Sequence, residues 1–345
     1  MAKLFFLLSG EHDTLPASEL EAILGAENYA FKRLEKHDQT LSIETDVNCV
    51  EAVKRRAALT RLCALELFTC EAEISKITKL MHSTNLREIL SNGESFAVRV
   101  KRVKNYSRKL DVMFLERKLG EIILGMNAGA HVNLKNPDKT FTGIITDEKF
   151  LFGVKLAEIQ PKQFIERRPK KKPFFHPSAM PPKIARCMVN LAKPKTGELV
   201  FDPFCGTGSM IIEAALMGCR VIGLDVQRRM ANGAIKNLKH FAIEAEGIVV
   251  ADARKLPVKE VDCIVTDPPY GRSASTFRRT TKQLVEEVLT SANGILKSGK
   301  RICIASPRIL NIGKTGEDLG YEHVESHFVY VHRSLTREIA VFEKV

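Results

Sequence analysis

Residues 267–271 read Asp-Pro-Pro-Tyr-Gly and directly follow the apolar run 263–266. A short β-branched run predicts a buried strand, and the two prolines end it because they lack backbone donors and fix φ. The Asp267 carboxylate and the carbonyl of Pro268 would then face a cavity as acceptors, beside the ring of Tyr270. Such acceptors suit a planar base that carries an exocyclic amine. An ordinary proline-rich turn with an Asp cap is the alternative.

A second apolar run that ends in an acid lies upstream, where residues 199–202 read Leu-Val-Phe-Asp. Gly206 and Gly208 follow in a Gly-x-Gly turn, and an apolar helix is predicted directly after it. Glycines let the backbone turn tightly and approach a ligand closely. Ile211 replaces the third glycine of the dinucleotide fingerprint, and the Asp202 carboxylate would repel a pyrophosphate. The turn therefore fits a ligand with an ammonium group, such as the methionine end of S-adenosylmethionine.

Two further predicted strands carry acids at their ends. Asp225 closes the run 221–225, at the place where a ribose diol is usually held. Asp252 lies at the end of the run 248–253 and is placed to accept the adenine amino group. For Asp252 alone, a solvated acid after a strand is an equally reasonable interpretation.

These elements together resemble the class I S-adenosylmethionine-dependent methyltransferases that act on exocyclic amines. In such a doubly wound α/β sheet, ligands bind where the strand order reverses. The resemblance assigns residues 174–178 to the segment that covers the methionine end of the cofactor, although a loop or cap role is the simpler interpretation of His176. It implies catalytic roles for Asp267, Pro268 and Tyr270. The implied cofactor-binding residues are Pro177, Ser178, Asp202, Cys205, Gly206, Thr207, Gly208, Asp225, Val226, Asp252, Ala253 and Asp267.

A narrower resemblance covers the whole chain, densely from about residue 173 and only by pattern before it. The order of an RNA-binding half, then Phe-x-His-Pro-Ser at 174–178, then the two acidic motifs, is similar to the archaeal tRNA guanine-N2 methyltransferases that modify position 10. The resemblance implies a Rossmann-like catalytic domain preceded by ferredoxin-like and THUMP units, S-adenosylmethionine as cofactor, and N2-methylguanosine or N2,N2-dimethylguanosine in tRNA as product. It also implies a small zinc-ribbon activator subunit as a partner.

Composition agrees with a polyanionic partner. The chain has 345 residues, a net charge of +12 and a pI near 9.3, which favours an RNA substrate. Eight cysteines occur without a Cys-x-x-Cys pair, so we expect reduced thiols and no metal site. The apolar run 5–8 is too short for a signal or membrane segment, which predicts a cytoplasmic protein with no membrane contact.

The element pattern predicts four parts. Residues 1–65 read β-α-β-β-α-β, the order of a ferredoxin-like unit. Residues 66–158 form a second α/β unit, the THUMP-like RNA-binding module, with a helix predicted over 74–90. Residues 159–172 are a basic linker, and residues 173–345 form the catalytic domain, which is predicted to end in an antiparallel hairpin.

Three basic segments are candidates for RNA contact, namely residues 99–109, 167–173 and 272–280. Cations neutralise phosphates, and an aromatic ring can stack on an unpaired base. A solvated surface is the alternative for each. Residues 332–337 are a further candidate loop on the substrate side. The predicted RNA-binding residues are Arg99, Lys101, Arg102, Lys104, Tyr106, Arg108, Lys109, Arg167, Arg168, Lys170, Lys171, Arg272 and Arg278.

The predicted chemistry is direct methyl transfer to a guanine amine, with Asp267 accepting hydrogen bonds and then a proton. Adenine-N6 methylation of nucleic acid uses similar acceptors, and methylation of another tRNA or rRNA guanine is also compatible with these residues. A noncatalytic RNA-binding module is the alternative from a different class. The intact set of acids and glycines argues against it.

Overall fold

The computed structural model describes residues 1–86, 88–127, 129–270 and 281–345. The chain divides into two compact units. No helix within the described ranges is both long and apolar enough to cross a membrane. The first unit comprises Met1–Ala17, Tyr29–Lys54 and Thr60–Ile159, and the second comprises Ser18–Asn28, Arg55–Leu59 and Gln160–Val345.

An eight-stranded sheet is the framework of the first unit, in the spatial order β2-β3-β1-β4-β8-β7-β5-β6. The elements at the start of the chain follow the predicted order β-α-β-β-α-β. The strands are β1 (Ala2–Leu8), β2 (Phe31–His37), β3 (Thr40–Thr45), β4 (Thr60–Glu71), β5 (Ser95–Arg102), β6 (His131–Val132), β7 (Lys139–Thr146) and β8 (Lys149–Glu158). The first four helices of the chain are α1 (Leu15–Ala26), α2 (Cys49–Arg56), α3 (Ile74–Ser83) and α4 (Val112–Met126).

Strand β8 was missed by the sequence reasoning, although it is central to this sheet. It pairs antiparallel with β4 on one side and with β7 on the other. The ferredoxin-like and THUMP-like parts therefore share one sheet, and the expected boundary after residue 65 lies inside β4. The helix predicted over 74–90 is shorter in the structure, where α3 ends at Ser83.

A seven-stranded sheet is the framework of the second unit, in the order β11-β10-β9-β12-β13-β15-β14. The predicted terminal hairpin is confirmed, since β15 pairs antiparallel with both β13 and β14. The strands are β9 (Leu199–Asp202), β10 (Arg220–Asp225), β11 (Gly247–Val250), β12 (Cys263–Thr266), β13 (Arg301–Pro307), β14 (Tyr321–His332) and β15 (Leu335–Lys344). The helices are α5 (Lys162–Glu166), α6 (Pro182–Leu191), α7 (Ser209–Ala215), α8 (Arg228–His240), α9 (Thr281–Asn293) and α10 (Ile312–Asp318).

The strand order of this sheet reverses between β9 and β12. The chain runs from β9 through β10 to β11 at one edge, and then continues with β12 and β13 on the other side of β9. Strands β9 and β12 are parallel, with Phe201 beside Ile264. Because parallel strands share a carboxyl edge, the acids that follow these two strands meet at the switch point.

Two N-terminal segments, Ser18–Asn28 and Arg55–Leu59, belong to the second unit. The fully buried Glu19 accepts hydrogen bonds from the backbone of Leu59 at 2.7 Å and from Asn190 Nδ2 at 2.9 Å. Burial raises the pKa of Glu19 to about 7. Arg56 is 1% exposed and donates to Asn190 Oδ1 at 3.2 Å and to the Pro194 carbonyl at 2.9 Å. The unit that contains the predicted catalytic domain is therefore completed by residues from the start of the chain.

Replacement of Arg56 tests this dependence. Arg56→Met removes donors from two buried acceptors and from Glu27, so we expect it to lower the free energy of unfolding by about 3 kcal/mol or more. Arg55→Met is the matched control, because Arg55 bonds to the same Glu27 oxygen from a half-exposed position. It should cost about 1 kcal/mol at most. Urea unfolding measures both, and equal losses would contradict the assignment.

Candidate active site

The glycine turn after β9 depends on two backbone angles that only glycine adopts readily. Gly206 has φ +52° and Gly208 has φ +81°, both in the left-handed region. Gly208 is the N-cap of α7. The turn is also tied to β10, because Cys205 N donates to the Leu224 carbonyl at 2.8 Å and Gly206 N donates to Asp225 Oδ2 at 3.0 Å. The turn and the acid of β10 are thus held together.

Asp202 and Asp225 occupy neighbouring strand ends. Asp202 is 2% exposed and accepts hydrogen bonds from Thr266 Oγ1 at 2.7 Å and from Phe204 N at 3.0 Å. Burial, together with the nearby Asp267, raises the pKa of Asp202 to about 7. Burial also raises the pKa of Asp225, whose carboxylate accepts Gln227 N at 2.8 Å. Two acids in this setting favour a ligand that brings a positive charge or hydrogen-bond donors.

Asp252 lies two residues beyond β11, and its carboxylate already has a charged partner. Arg254 Nε lies 2.8 Å from Asp252 Oδ1 and 2.9 Å from Oδ2. The Arg254 backbone N–H also donates to Oδ1 at 3.0 Å. An adenine amine would have to share this acceptor with Arg254, a partner that the sequence gave no reason to expect.

The segment that contains Phe174 and Ser178 is anchored by Asn237 of α8, which is fully buried. Asn237 Oδ1 accepts Phe174 N at 2.9 Å, while Nδ2 donates to the carbonyls of Phe174 at 3.0 Å and Thr207 at 2.9 Å. Gly233, one turn earlier, leaves room for the Phe174 ring, because a Cβ there would lie 2.0 Å from Cδ1. One amide therefore joins the covering segment to the glycine turn. Sequence reasoning missed Asn237, although a polar residue on the apolar face of a helix was a usable signal.

A cavity of about 440 Å³ opens where these elements meet. Two of the predicted cofactor-binding residues, Pro177 and Gly208, are not among the residues that line the cavity. Among the residues that the structure describes, no cluster of three or more His, Cys, Asp or Glu side chains could hold a metal ion. The predicted residues that line the cavity are Ser178, Asp202, Cys205, Gly206, Thr207, Asp225, Val226, Asp252, Ala253, Asp267, Pro268 and Tyr270.

Asp267 directly follows β12 and lines the wall of this cavity. Its Oδ2 lies 3.4 Å from Arg337 Nη2, while its Oδ1 is buried without a hydrogen-bond partner among the described residues. Burial raises the pKa of Asp267 and the Arg337 guanidinium opposes that rise. Arg337 also donates through Nε to the Tyr270 hydroxyl. The sequence placed residue 337 in a substrate-side loop, whereas it belongs to β15.

The basic segment of the first unit is largely engaged with its own fold. Lys101 pairs with Glu158 at 3.2 Å, and Lys104 pairs with Asp38 at 2.6 Å. Arg99 donates to the Leu134 carbonyl, and the Tyr106 hydroxyl donates to Asp38. Arg102 donates to the backbone carbonyls of Tyr106, Ser107 and Leu110.

Two positions of this segment remain available to a partner. The Tyr106 ring packs against the apolar core, so in this conformation it is not presented as a stacking surface. Arg108 and Lys109, in contrast, are exposed and have no ion pair within the described ranges. Of the predicted contacts in this segment, these two cations are the most available to a phosphate.

The predicted linker is folded as part of the second unit. Arg167 is buried and forms a two-point ion pair with Glu213, at 2.7 and 3.1 Å, so this side chain is not free to reach an RNA phosphate. Lys171 pairs with Glu166 at 3.0 Å. Arg168 and Lys170 are exposed. The other two predicted contacts, Arg272 and Arg278, lie outside the described residues.

The doubly wound sheet, the glycine turn and the Asp-Pro-Pro-Tyr motif at the switch point define a class I methyltransferase. A family described as "UPF0020: RMKL-like, methyltransferase domain" matches residues 169–338, and the THUMP domain family matches residues 71–155. The chain also covers the whole of TrmN from Thermus thermophilus, with a TM-score of 0.56 and 20% identity over 99% of this chain. That structural likeness supports the fold.

The chain belongs to the tRNA (guanine(10)-N2)-dimethyltransferase family. It is 37% identical to the enzyme of that name from Methanothermobacter thermautotrophicus, over 99% of this chain and 100% of the relative. The enzyme of the same name from Methanocaldococcus jannaschii is 31% identical, over 99% of both chains. These matches confirm the resemblance that the motifs indicated.

Replacement of Asn237 tests the anchoring of the covering segment. Asn237→Leu leaves three backbone groups without their partner, so we expect a loss of about 2 kcal/mol or more of unfolding free energy. Chymotrypsin should also cut faster after Phe174 and Phe175, because the segment is released. Asn232→Leu, at an exposed position of the same helix, is the control. Unchanged cleavage in the Asn237 variant would show that other contacts hold the segment.

Proposed function

We propose that this protein transfers methyl groups from S-adenosylmethionine to the N2 amine of guanosine 10 in tRNA, giving N2-methylguanosine and then N2,N2-dimethylguanosine. The observation that carries the proposal is the buried Oδ1 of Asp267 at the cavity wall, which has no hydrogen-bond partner among the described residues. A buried acceptor without a donor is costly unless a ligand supplies one. Full-length relatives that are named for guanosine 10 identify the base that fits.

The cavity suits S-adenosylmethionine by its charge and shape. Asp202 offers a buried carboxylate near the glycine turn, where an ammonium group would be stabilised. Asp225 retains acceptor capacity for a ribose diol, because an ionised carboxylate has about four acceptor sites and two are used by backbone donors. When bound, the cofactor supplies an activated methyl group. The chain itself supplies alignment, which accounts for most of the acceleration when the electrophile is already activated.

Asp267 and the Pro268 carbonyl act on the amine. The lone pair of a guanine amine is delocalised into the ring, so acceptors that bond its N–H groups favour density on nitrogen. Oδ1 is the oxygen that has no donor from the described residues, and the ionised carboxylate then takes the proton that the methylated amine releases. The base must leave its stack to reach Asp267, and Tyr270 offers an aromatic ring at the cavity.

The first unit provides for RNA binding in this proposal. We assign residues 1–65, apart from the two segments that belong to the second unit, and residues 66–158 to tRNA placement. We assign residues 159–172 to the connection and residues 173–345 to catalysis. Arg108, Lys109, Arg168 and Lys170 are exposed cations that support contact with the tRNA backbone. We further propose a cytoplasmic location. We also propose a small zinc-ribbon activator subunit as partner, and co-purification from the native cell would test this.

Mass spectrometry of nucleosides tests the whole proposal. Unmodified tRNA is incubated with the protein and methyl-labelled cofactor, beside a tRNA whose guanosine 10 is replaced by adenosine. We expect labelled N2-methylguanosine and N2,N2-dimethylguanosine in the first tRNA and no label in the second. Labelled N6-methyladenosine, or equal labelling of both tRNAs, would contradict the base or the position that we propose.

Asp267→Asn tests the role of the free oxygen. The amide keeps the shape but cannot take a proton, so we expect methyl transfer to fall about 100-fold or more. Asp262→Asn, near the other end of β12, is the control and should keep its turnover. The dissociation constant of S-adenosylhomocysteine, measured by calorimetry, should stay within about threefold in both variants, because Asp267 faces the amine. Full turnover by Asp267→Asn would remove this residue from the mechanism.

The exposed cations of the first unit can be tested by charge reversal. Arg108→Glu with Lys109→Glu should weaken tRNA binding about tenfold and lower the salt slope of binding by about two, because two phosphate contacts are lost. Lys32→Glu with Lys79→Glu is the control, since these side chains of the same unit are exposed and the charge change is equal. Filter binding over a salt series measures both. Equal weakening in the two variants would indicate a general charge effect.

A further inference from the structure

Arg337 contacts the side chains of both Asp267 and Tyr270, which follow β12. The guanidinium lies 3.4 Å from Asp267 Oδ2 through Nη2, and Nε donates to the Tyr270 hydroxyl. Its central carbon is also 5.6 Å from the centroid of the Tyr270 ring. The Arg337 side chain is 12% exposed, so these contacts form largely away from water.

The position of Arg337 in the sheet explains why it reaches the site. Strand β15 runs antiparallel to β13, and Arg337 pairs with Pro307 at the end of β13 where the chain leaves the sheet. Asp267 follows the neighbouring strand β12 at the same edge. A residue near the start of β15 therefore lies beside residues at the end of β12, although the two are far apart in sequence.

The contacts divide the two oxygens of Asp267 between two roles. Oδ2 faces the guanidinium, whereas Oδ1 has no partner within the described ranges. The nearby Tyr270 hydroxyl lowers the pKa of this carboxyl group. Arg337 thus connects Asp267 to Tyr270, and its contact with Oδ2 limits rotation of the carboxylate. Within the described part of the chain, Oδ1 is the oxygen left for an incoming donor.

Without a cation, this cavity would favour the neutral acid. Burial raises the pKa of Asp267, and Asp202, Asp225 and Asp252 also line the cavity. Besides Tyr270 and Arg337, the other titratable or charged described residues that line it are His176, Cys205, Arg229 and Arg254. Arg254 is already paired with Asp252, and His176 with Ser178. Among the residues that the structure describes, Arg337 is the cation in contact with Asp267.

We propose that Arg337 is a positioning residue for methyl transfer, which keeps Asp267 ionised with Oδ1 free and fixes the ring of Tyr270. This inference rests on the proposed function but adds a residue to its site. A merely structural Arg337 would tie β15 to β12 without affecting the ionisation of Asp267. The two roles differ in their effect on pH dependence.

The sign of the expected pH effect follows from the charge. Removing the guanidinium raises the pKa of Asp267, so a larger fraction of the enzyme holds the protonated acid at a given pH. Protonated Asp267 cannot take the proton of the amine. The acid limb of the kcat profile should therefore move to higher pH in a variant without the cation.

Two variants and one control separate these roles. In Arg337→Met we expect kcat to fall about thirtyfold near neutral pH and the acid limb to rise by about one pH unit. Arg337→Lys should restore the acid limb because it retains the charge, but only part of kcat, because an ammonium cannot reproduce the guanidinium fork. Arg301→Met removes a comparable β13–β15 ion pair with Glu343 and should leave the profile unchanged.

A measurement that needs no turnover tests the same point. Carbon-13 NMR of aspartate-labelled protein follows the Asp267 carboxyl, identified by its absence in Asp267→Asn. In Arg337→Met this signal should titrate about one pH unit higher than in the wild-type protein. An unchanged titration, or equal loss of activity in Arg337→Met and Arg301→Met with unshifted profiles, would overturn the proposal. Because the titration is independent of methyl transfer, failure of the proposed function would be seen separately.

Discussion

The contact between β9 and β12 is the constraint on which the site depends. These strands are sequence-distant but parallel neighbours. Asp202 ends β9 and Asp267 follows β12, and both carboxylates line the same cavity. Thr266 of β12 donates to Asp202 of β9 at 2.7 Å, so the two motifs are joined by a hydrogen bond as well as by the sheet. Gathering acids in this way is unfavourable without compensating donors and cations. The glycine turn, Thr266 and Arg337 supply these from within the chain, and the remaining acceptor capacity is what a ligand can use.

The second unit also depends on residues from the start of the chain. Glu19 and Arg56 are buried with Asn190 of α6, whose amide forms hydrogen bonds with both residues. Buried polar clusters are stabilising only when all their members are satisfied. A cut near residue 173 would remove two members and leave Asn190 without its partners. The second unit is therefore not an independent C-terminal segment, even though all the motifs that line the cavity lie there.

The basic residues illustrate how charge in a sequence differs from charge at a surface. Arg167 and Lys172 belong to a run of five cations, yet Arg167 is buried against Glu213 and burial lowers the pKa of Lys172 to about 8. Their charges help to join the run to the N-terminal part of α7, because Lys172 Nζ also donates to Ser209 at 3.2 Å. Cations at exposed positions, such as Arg108, keep the capacity for long-range attraction of a polyanion. Net charge predicted the class of partner, but not which cations would meet it.

Local patterns in the amino-acid sequence predicted the class of sheet, the glycine turn and the acids at the strand ends. Proline stops, left-handed glycines and apolar runs act over a few residues, and they predicted the strands β9 and β12. The tertiary structure decided what depends on distant pairing. Strand β8 was missed because its short apolar run was informative only beside β4 and β7. Sheet register brings Arg337 into contact with Asp267, and helix packing brings Asn237 into contact with Phe174. These partners are far apart in sequence, so no local pattern predicts the contacts.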